Sequence, residues 1–147
     1  MLNCIDICNI GLDVHTVGDI LKTFLRMLPN PIIPVEDFYE SFLLSSIITA
    51  EKQYWAYLGS ILQVIPPERR SLLQYLCQFC NQIIEYSVEN KMGASNLAII
   101  FAPSIFGQSE TPDSVAIVME AKATAKIVQS FIENYNEIFR VRDISLF

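Results

Sequence analysis

Apolar residues recur every three to four positions along most of the chain, which is the pattern of helices that bury one face. In the first such segment they follow the i, i+3, i+4, i+7 spacing, and they are Val17, Ile20, Leu21, Phe24, Leu25 and Leu28. Thr16 and Asp19 have the spacing of a capping box, which predicts that this helix opens at Thr16. Pro29 and Pro31 predict its end, because proline lacks an N–H and disfavours helical geometry in the preceding residue.

The same period predicts further helices downstream. They are expected over 34–48, 54–65, 67–87, 93–101 and 127–139. Pro66 and Pro67 separate two of these helices, and Pro103 is expected to terminate the one that begins near Gly93. The polar segment 108–114 is the clearest loop. Since neither strand alternation nor an internal repeat occurs, the sequence predicts an all-α fold.

Composition narrows the class of protein. The chain has 147 residues, enough for one domain with a single core, and 52% of them are apolar. The net charge of −6 argues against sequence-independent nucleic-acid binding, which needs basic surface. Neither a membrane span nor a signal peptide is evident, so a cytoplasmic protein is expected. The apolar excess indicates a binding face, or a surface that a neighbouring element normally covers.

Residue types that carry chemistry are sparse in this sequence. Cys4, Cys8, Cys77 and Cys80 could form two metal-binding pairs, but Cys80 falls on the apolar face of a predicted helix. Buried free thiols are therefore the favoured interpretation. His15 is the only histidine, and no nucleophile motif or P-loop occurs. We expect no metal, no cofactor and no catalytic centre of the chain's own.

Two cations lie on the polar side of the first predicted helix. Lys22 and Arg26 are four residues apart and face away from the apolar stripe. Because Asp19 is the only nearby acid, the two cations are expected to be left largely unpaired toward solvent. One interpretation is an ordinary solvated helix face. The other is a cationic platform for an acidic or phosphate-bearing partner.

Two groups of motifs bear on this choice. The first is Leu21-Lys22, Arg26 and Leu28-Pro29-Asn30-Pro31, and the second is Asn90-Lys91-Met92, Asn96-Leu97-Ala98 and Pro103. The order and spacing of these motifs resemble those of the Rho GTPase-activating (RhoGAP) domain family. The resemblance covers the chain from 13 to 139. The resemblance implies a multi-helix RhoGAP-like bundle over 13–139, preceded by an irregular segment 1–12 and followed by a C-terminal tail 140–147.

The resemblance also implies a mode of action. Such a domain docks on a Rho-family small GTPase in its GTP-bound state and inserts an arginine that neutralises transition-state charge on the γ-phosphoryl group. In the family that arginine lies upstream, in a Gly-x-Phe-Arg-x-Ser loop, whereas the first arginine of this sequence is Arg26. The chain as given is therefore expected to lack the family's first helix and finger loop, to contain no catalytic residue and to be impaired in activation.

By resemblance, Lys22 and Asn96 face the switch regions of the GTPase, and Arg26 braces the finger loop. Lys91 is a further candidate for this face, the alternative being a solvated loop charge. For Asn96 the alternative is a side chain bound to local backbone at a helix start. A catalytically silent interaction module, or a helical adaptor, is the competing functional interpretation. Uncovered apolar surface would also favour self-association.

Overall fold

The computed structural model describes residues 11, 13–107 and 113–139, and these residues are helical with short connections. The helices are α1 (Val14–Arg26), α2 (Val35–Ser45), α3 (Glu51–Val64), α4 (Pro67–Ile84), α5 (Ser87–Asn90), α6 (Ala94–Phe106), α7 (Ser114–Glu133) and α8 (Tyr135–Phe139). The predicted all-α class is confirmed. The predicted tail 140–147 and, apart from Gly11, the predicted irregular segment 1–12 lie outside the described residues, as does most of the predicted loop 108–114.

Helix α6 lies at the centre of the bundle, where it packs extensively against α7 and also contacts α1 and α4. Its buried face is formed by Leu97, Ala98, Phe101, Ala102, Ser104, Ile105 and Phe106. Most of the remaining core comes from α3, α4 and the C-terminal half of α7, with Leu58, Leu73 and Phe131 fully buried. The helix predicted over 54–65 is present, but α3 begins earlier, at Glu51, and it ends at Val64 with Ile65 as its C-cap before Pro66 and Pro67.

The start of α1 differs from the prediction. Asp13, not Thr16, is the N-cap: its Oδ1 accepts the N–H groups of His15 at 2.8 Å and Thr16 at 3.0 Å. The Thr16 hydroxyl donates back to Asp13 Oδ2 at 2.8 Å. A carboxylate has two oxygens, so Asp13 can satisfy two orphan amides and the threonine hydroxyl together.

The buried stripe of α1 is also narrower than predicted. Leu25 is 1% exposed, and Leu21 and Leu28 pack against the core. Ile20 and Phe24, which were expected to face inward, are each 55% exposed. The reason is that α6 is the main helical neighbour of α1 in the described part of the chain, and one neighbouring helix covers only one narrow face.

Pro103 does not terminate α6, contrary to the prediction. The helix continues through Pro103 to Phe106, and the residues after the proline are buried. Burial of a large apolar side chain contributes about 1.5–3 kcal/mol, which offsets the cost of about 3 kcal/mol for a proline inside a helix. One carbonyl of this last turn is also satisfied from outside the helix, because the Ile33 N–H donates to Ile105 O at 2.9 Å.

Two other predicted helices are divided in the structure. The helix predicted over 67–87 ends at Ile84 and is followed by the short α5. The final helix breaks at Asn134, which separates α7 from α8. Asn81 supports this break, because its Nδ2 donates to Ile132 O at 3.1 Å near the end of α7.

The two described cysteines, Cys77 and Cys80, are buried free thiols, as predicted. Burial raises the pKa of the Cys80 thiol to about 12, and it raises that of Cys77 further. Both therefore stay protonated at neutral pH, so they are poor nucleophiles and poor metal ligands. Cys4 and Cys8 lie outside the described residues.

The cap at Asp13 predicts a pH-dependent contribution to stability. The backbone N–H and the hydroxyl of Thr16 hold the pKa of Asp13 below its usual value of 3.8. A lowered folded-state pKa means that the carboxylate stabilises the fold above the unfolded-state pKa, and that this contribution is lost as the pH falls through the folded-state value. Asp13→Ala should therefore lower the thermal midpoint at pH 7, with a smaller difference from wild type below pH 3.8.

Asp13→Asn is the control, because an asparagine oxygen also caps helices well but does not titrate. It should unfold near wild type at pH 7. A difference between Asp13→Ala and wild type that is the same at neutral and acid pH would contradict the assignment.

Candidate functional site

Lys22 and Arg26 lie on one flank of α1, beside the face that contacts the core. The Lys22 ammonium forms an ion pair with Asp19 Oδ1 at 2.7 Å, so this cation is not left unpaired as the sequence suggested. The same hydrogen bond and charge lower the pKa of Asp19. Arg26 is exposed in the last turn, and no hydrogen bond or ion pair engages it within the described residues. Arg26 is therefore the available cation of this flank.

The end of α1 is fixed to the end of α6 by the Leu-Pro-Asn-Pro segment. A Cβ at Gly107 would lie 3.4 Å from the Pro31 ring carbons, and Gly107 has a φ of +80°, which favours glycine. Arg69 Nη1 donates to Pro31 O at 3.4 Å. The contact between Pro31 and Gly107 therefore places Arg26 next to the C-terminal turn of α6.

A cavity of about 240 Å³ lies at this junction. Its lining residues come from α1, the segment after it and the end of α6, and they are Leu25, Arg26, Leu28, Pro31, Pro103, Ser104 and Gly107. The lining is mostly apolar, and Arg26 and Ser104 are its polar residues. We call it the Arg26 cavity.

Asn96 lies on the outer face of α6, on a stripe that leads toward the Arg26 cavity. Asn96, Ile99, Ile100 and Pro103 have the i, i+3, i+4, i+7 spacing and are exposed or partly exposed. At 1.5 Å per residue, Asn96 and Pro103 are about 10 Å apart along the helix axis. The contact between α1 and α6 thus brings Arg26 to one end of a stripe that carries Asn96 at the other.

The side chain of Asn96 also bonds to local backbone, which was the alternative interpretation for this residue. Its Nδ2 donates to Lys91 O at 3.1 Å. An amide has a second N–H and an oxygen, so this bond fixes the orientation of Asn96 and leaves two groups for a partner.

Lys91 has a structural position in the described conformation. It is the left-handed residue that ends α5, with a φ of 58°, and its Nζ donates to Val88 O at 2.6 Å. The ammonium is therefore directed to its own helix, although the side chain is exposed. Its membership of a binding face stays a prediction.

Asn90 supports the start of α6, a role that was not predicted from the sequence. Its Nδ2 donates to Ile83 O at 2.8 Å, and its Oδ1 accepts the Met92 N–H at 2.7 Å. It thus connects the end of α4 to the segment that enters α6, and it holds the Lys91 carbonyl where Asn96 binds it. The sequence feature that could have indicated this role is the position of Asn90 beside Lys91 in the second group of motifs.

Groups that would indicate other kinds of site are few in the described residues. These residues contain no cluster of metal-ligating side chains, and none of the described helices is long and apolar enough to cross a membrane. A larger cavity, of about 750 Å³, lies between α3, α4 and the α7–α8 junction. Its lining includes Trp55, Gln82, Glu85, Glu133, Tyr135 and Glu137. We call it the acidic groove.

Known proteins with a similar sequence identify the family. The RhoGAP domain profile matches residues 9–110, which is more than half of the chain. The chain belongs to the RhoGAP domain family. It is 37% identical over 130 residues to Rho GTPase-activating protein gacY of Dictyostelium discoideum, and 32% identical over 129 residues to mouse Rho GTPase-activating protein 24. These alignments cover 86% of this chain but only 18% and 17% of the relatives.

Solved structures agree with this RhoGAP assignment. The BH domain of GRAF, the GTPase regulator associated with focal adhesion kinase, superimposes with a TM-score of 0.75 at 25% identity, over 88% of this chain and 68% of that one. Human Rho GTPase-activating protein 15 gives a TM-score of 0.77 at 24% identity, over 86% and 59%, and shows the shared fold. A RhoGAP domain regulates the GTPase activity of another protein and is not itself an enzyme.

The role of Asn90 predicts a stability change. Asn90→Ala removes two hydrogen bonds between segments and should cost about 1–2 kcal/mol of unfolding free energy, since each such bond contributes about 1 kcal/mol. Asn90→Asp should cost less, because it keeps the acceptor for the Met92 N–H. Urea unfolding at neutral pH measures both.

Asn136→Ala is the matched control, because Asn136 is exposed on α8 and makes no hydrogen bond in the described residues. It should change stability by less than about 0.5 kcal/mol. If Asn90→Ala unfolds at the same urea concentration as Asn136→Ala, the connecting role of Asn90 is wrong.

Proposed function

We propose that this chain binds a Rho-family small GTPase in its GTP-bound state, through the face that α1 and α6 form together. The longer protein would then be a Rho GTPase-activating protein. Membership of the RhoGAP family supports this assignment, as do the names of the relatives. The observation that carries it is the position of Arg26, an unpaired cation beside a cavity shared with α6.

Each candidate residue has a distinct part in this binding mode. Lys22 approaches the switch regions as a cation already held in place by Asp19. Asn96 offers an amide donor and acceptor to partner backbone, preoriented by its bond to Lys91 O. Arg26 supplies planar, multiply donating recognition of acceptor oxygens. That Lys22, Arg26 and Asn96 share one face is part of this proposal.

The chain as given would bind and orient the GTPase but would accelerate its GTP hydrolysis little. An arginine that reaches the phosphates supplies about 10³–10⁵ in rate, or about 4–7 kcal/mol of transition-state stabilisation. The first arginine of the sequence is Arg26, and it is on a helix that packs against the core. A side chain held in this way is suited to binding a neighbouring group and poorly suited to reaching into another protein's active site.

A silent interaction module is the second candidate function. Helix α6 packs against both α1 and α7, and all three helices expose large apolar side chains. These are Ile20, Phe24 and Met27 on α1, Ile99 and Ile100 on α6, and Val115, Ile117, Val118 and Met119 on α7. Such a surface favours protein association without catalysis. Self-association of the chain, and its location in the cytoplasm, stay predictions.

Binding should depend on the three platform residues. Lys22→Ala, Arg26→Ala and Asn96→Ala should each weaken binding to a Rho-type GTPase loaded with a non-hydrolysable GTP analogue by at least about fivefold, the size of a central interface contact. Isothermal titration calorimetry measures this. Lys52→Ala and Arg70→Ala are matched controls on α3 and α4 and should bind as wild type. Equal losses in controls and platform variants would argue against this face.

We expect the chain to bind the GTPase but to accelerate its GTP hydrolysis only slightly. In single-turnover assays, a saturating excess of the chain should accelerate GTP hydrolysis by a Rho-type GTPase far less than the ~10³-fold minimum that an inserted arginine supplies. Acceleration of ~10³-fold or more would contradict this prediction and show that an arginine of this chain reaches the phosphates. Arg26→Ala would then test whether that residue is responsible.

A further inference from the structure

Lys91 has a backbone conformation that lysine rarely adopts. Its φ is 58° and its ψ is 22°, and among the described residues it is the only one other than glycine with a positive φ. This left-handed conformation brings the Cβ atom of an L-residue too close to the following carbonyl oxygen, so glycine is the usual residue in it after a helix. Strained residues persist only where the surrounding structure holds them. The neighbours of Lys91 must therefore fix this turn.

Hydrogen bonds on both sides of Lys91 hold the turn in place. The Lys91 N–H donates to Ser87 O at 3.0 Å. The Asn90 side chain donates from Nδ2 to Ile83 O at 2.8 Å, and its Oδ1 accepts the Met92 N–H at 2.7 Å. Asn90 therefore bridges Lys91, from the residue before it to the residue after it.

The turn directs the carbonyl of Lys91 to Asn96. Lys91 O accepts a hydrogen bond from Asn96 Nδ2 at 3.1 Å, the one hydrogen bond of the Asn96 side chain within the described residues. Two backbone dihedrals set the direction of each carbonyl, so an ordinary negative φ at Lys91 would point this oxygen elsewhere. Asn96 is exposed in the first turn of α6, where its amide would then be free to rotate.

We propose that Lys91 is a positioning residue of the GTPase-binding face, and that it acts through its left-handed backbone and not through its charge. Its carbonyl fixes the orientation of Asn96 in the free chain, so that binding does not have to order this amide. Its ammonium is directed to Val88 O, at 2.6 Å, and takes no part. The consequence for binding rests on the proposed function, whereas the orientation of Asn96 in the free chain does not.

Two substitutions at Lys91 separate the backbone from the charge. Glycine adopts a positive φ readily and has no charge, so Lys91→Gly keeps the turn and removes the ammonium. Valine is β-branched and is a rare outlier in the left-handed region, so Lys91→Val removes both. Glu89→Val is the matched control, because it places the same side chain at an exposed, right-handed position of α5.

The first measurement needs no GTPase. The ¹⁵N order parameter of the Asn96 side-chain amide reports how firmly its orientation is fixed. In wild type and in Lys91→Gly it should exceed that of Asn136, an exposed asparagine whose side chain makes no hydrogen bond in the described residues. In Lys91→Val it should fall to the Asn136 value. An unchanged Asn96 order parameter in Lys91→Val would show that the turn does not fix this side chain, and would overturn the inference.

The second measurement is the affinity for a Rho-type GTPase loaded with a non-hydrolysable GTP analogue, by isothermal titration calorimetry. Lys91→Val should bind at least about fivefold more weakly than wild type, the cost of ordering one side chain on binding, whereas Lys91→Gly and Glu89→Val should stay within about twofold. If Lys91→Gly loses as much affinity as Lys91→Val, the ammonium contacts the partner and the inference is wrong.

A double-mutant cycle tests whether Lys91 acts through Asn96. In the Asn96→Ala background, Lys91→Val should cause no further loss of affinity, because the side chain that the turn positions is gone. Asn90→Ala removes the bridge across the turn and should behave in the same way. It replaces Lys91→Val in the cycle if the amide spectrum of that variant is not that of a folded chain. Additive losses would show that the turn supports the fold in general, and would contradict the positioning role.

The inference and the proposed function fail on different results. If Lys22→Ala and Asn96→Ala lose affinity while Lys91→Val binds as wild type, the inference is wrong and the proposed function stands. If the wild-type chain does not bind the GTPase, the proposed function is wrong, and the effect of Lys91 on binding is wrong with it.

Discussion

The structure depends on the burial of one hydrophobic helix, α6, among its neighbours. This helix contains no charged residue, and it has buried residues along its length from Leu97 to Phe106. Each large side chain removed from water contributes about 1.5–3 kcal/mol, enough for the helix to continue through Pro103. The α1 and α7 helices both pack against this element, and Pro31 lies against Gly107 at its end.

The candidate binding face is a consequence of the same packing. Because the inner side of α6 is fully used by the core, its outer stripe from Asn96 to Pro103 is left for solvent or a partner. Gly107 and Pro31 then hold the end of α1 against the end of α6, which brings the Arg26 cation to this stripe. The Asn90 side chain fixes the other end of α6 through Ile83 O and the Met92 N–H. The face is thus attached to the core at both ends.

The sequence predicted what depends on periodicity and on local motifs. The helical class, the existence of α3, the burial of Cys80 and the two cations on one flank of α1 all follow from spacing. The cap at Asp13 was missed because a carboxylate and a threonine three residues apart can each begin a helix, and only the geometry selects one. The exposure of Ile20 and Phe24 could not be predicted either, because it depends on how many neighbours α1 has.

Side-chain hydrogen bonding in the site was the least predictable part. The ion pair of Lys22 with Asp19 was not predicted, although the two residues have i, i+3 spacing. The bond from Asn96 to Lys91 O could not be predicted, because it requires the left-handed turn at Lys91. The unsatisfied Ser104 hydroxyl has no sequence signal, because serine in a helix ordinarily bonds to the preceding turn.

The most direct test of the central claim is to map the contact surface by amide NMR. A Rho-type GTPase loaded with a non-hydrolysable GTP analogue is added to ¹⁵N-labelled chain, and the shifted amides are located on the structure. The largest changes are expected on 19–26 of α1 and on the outer face of α6 from Asn96 to Pro103. Changes centred instead on the acidic groove around Trp55, Glu85 and Glu137, with α1 and α6 unaffected, would contradict it.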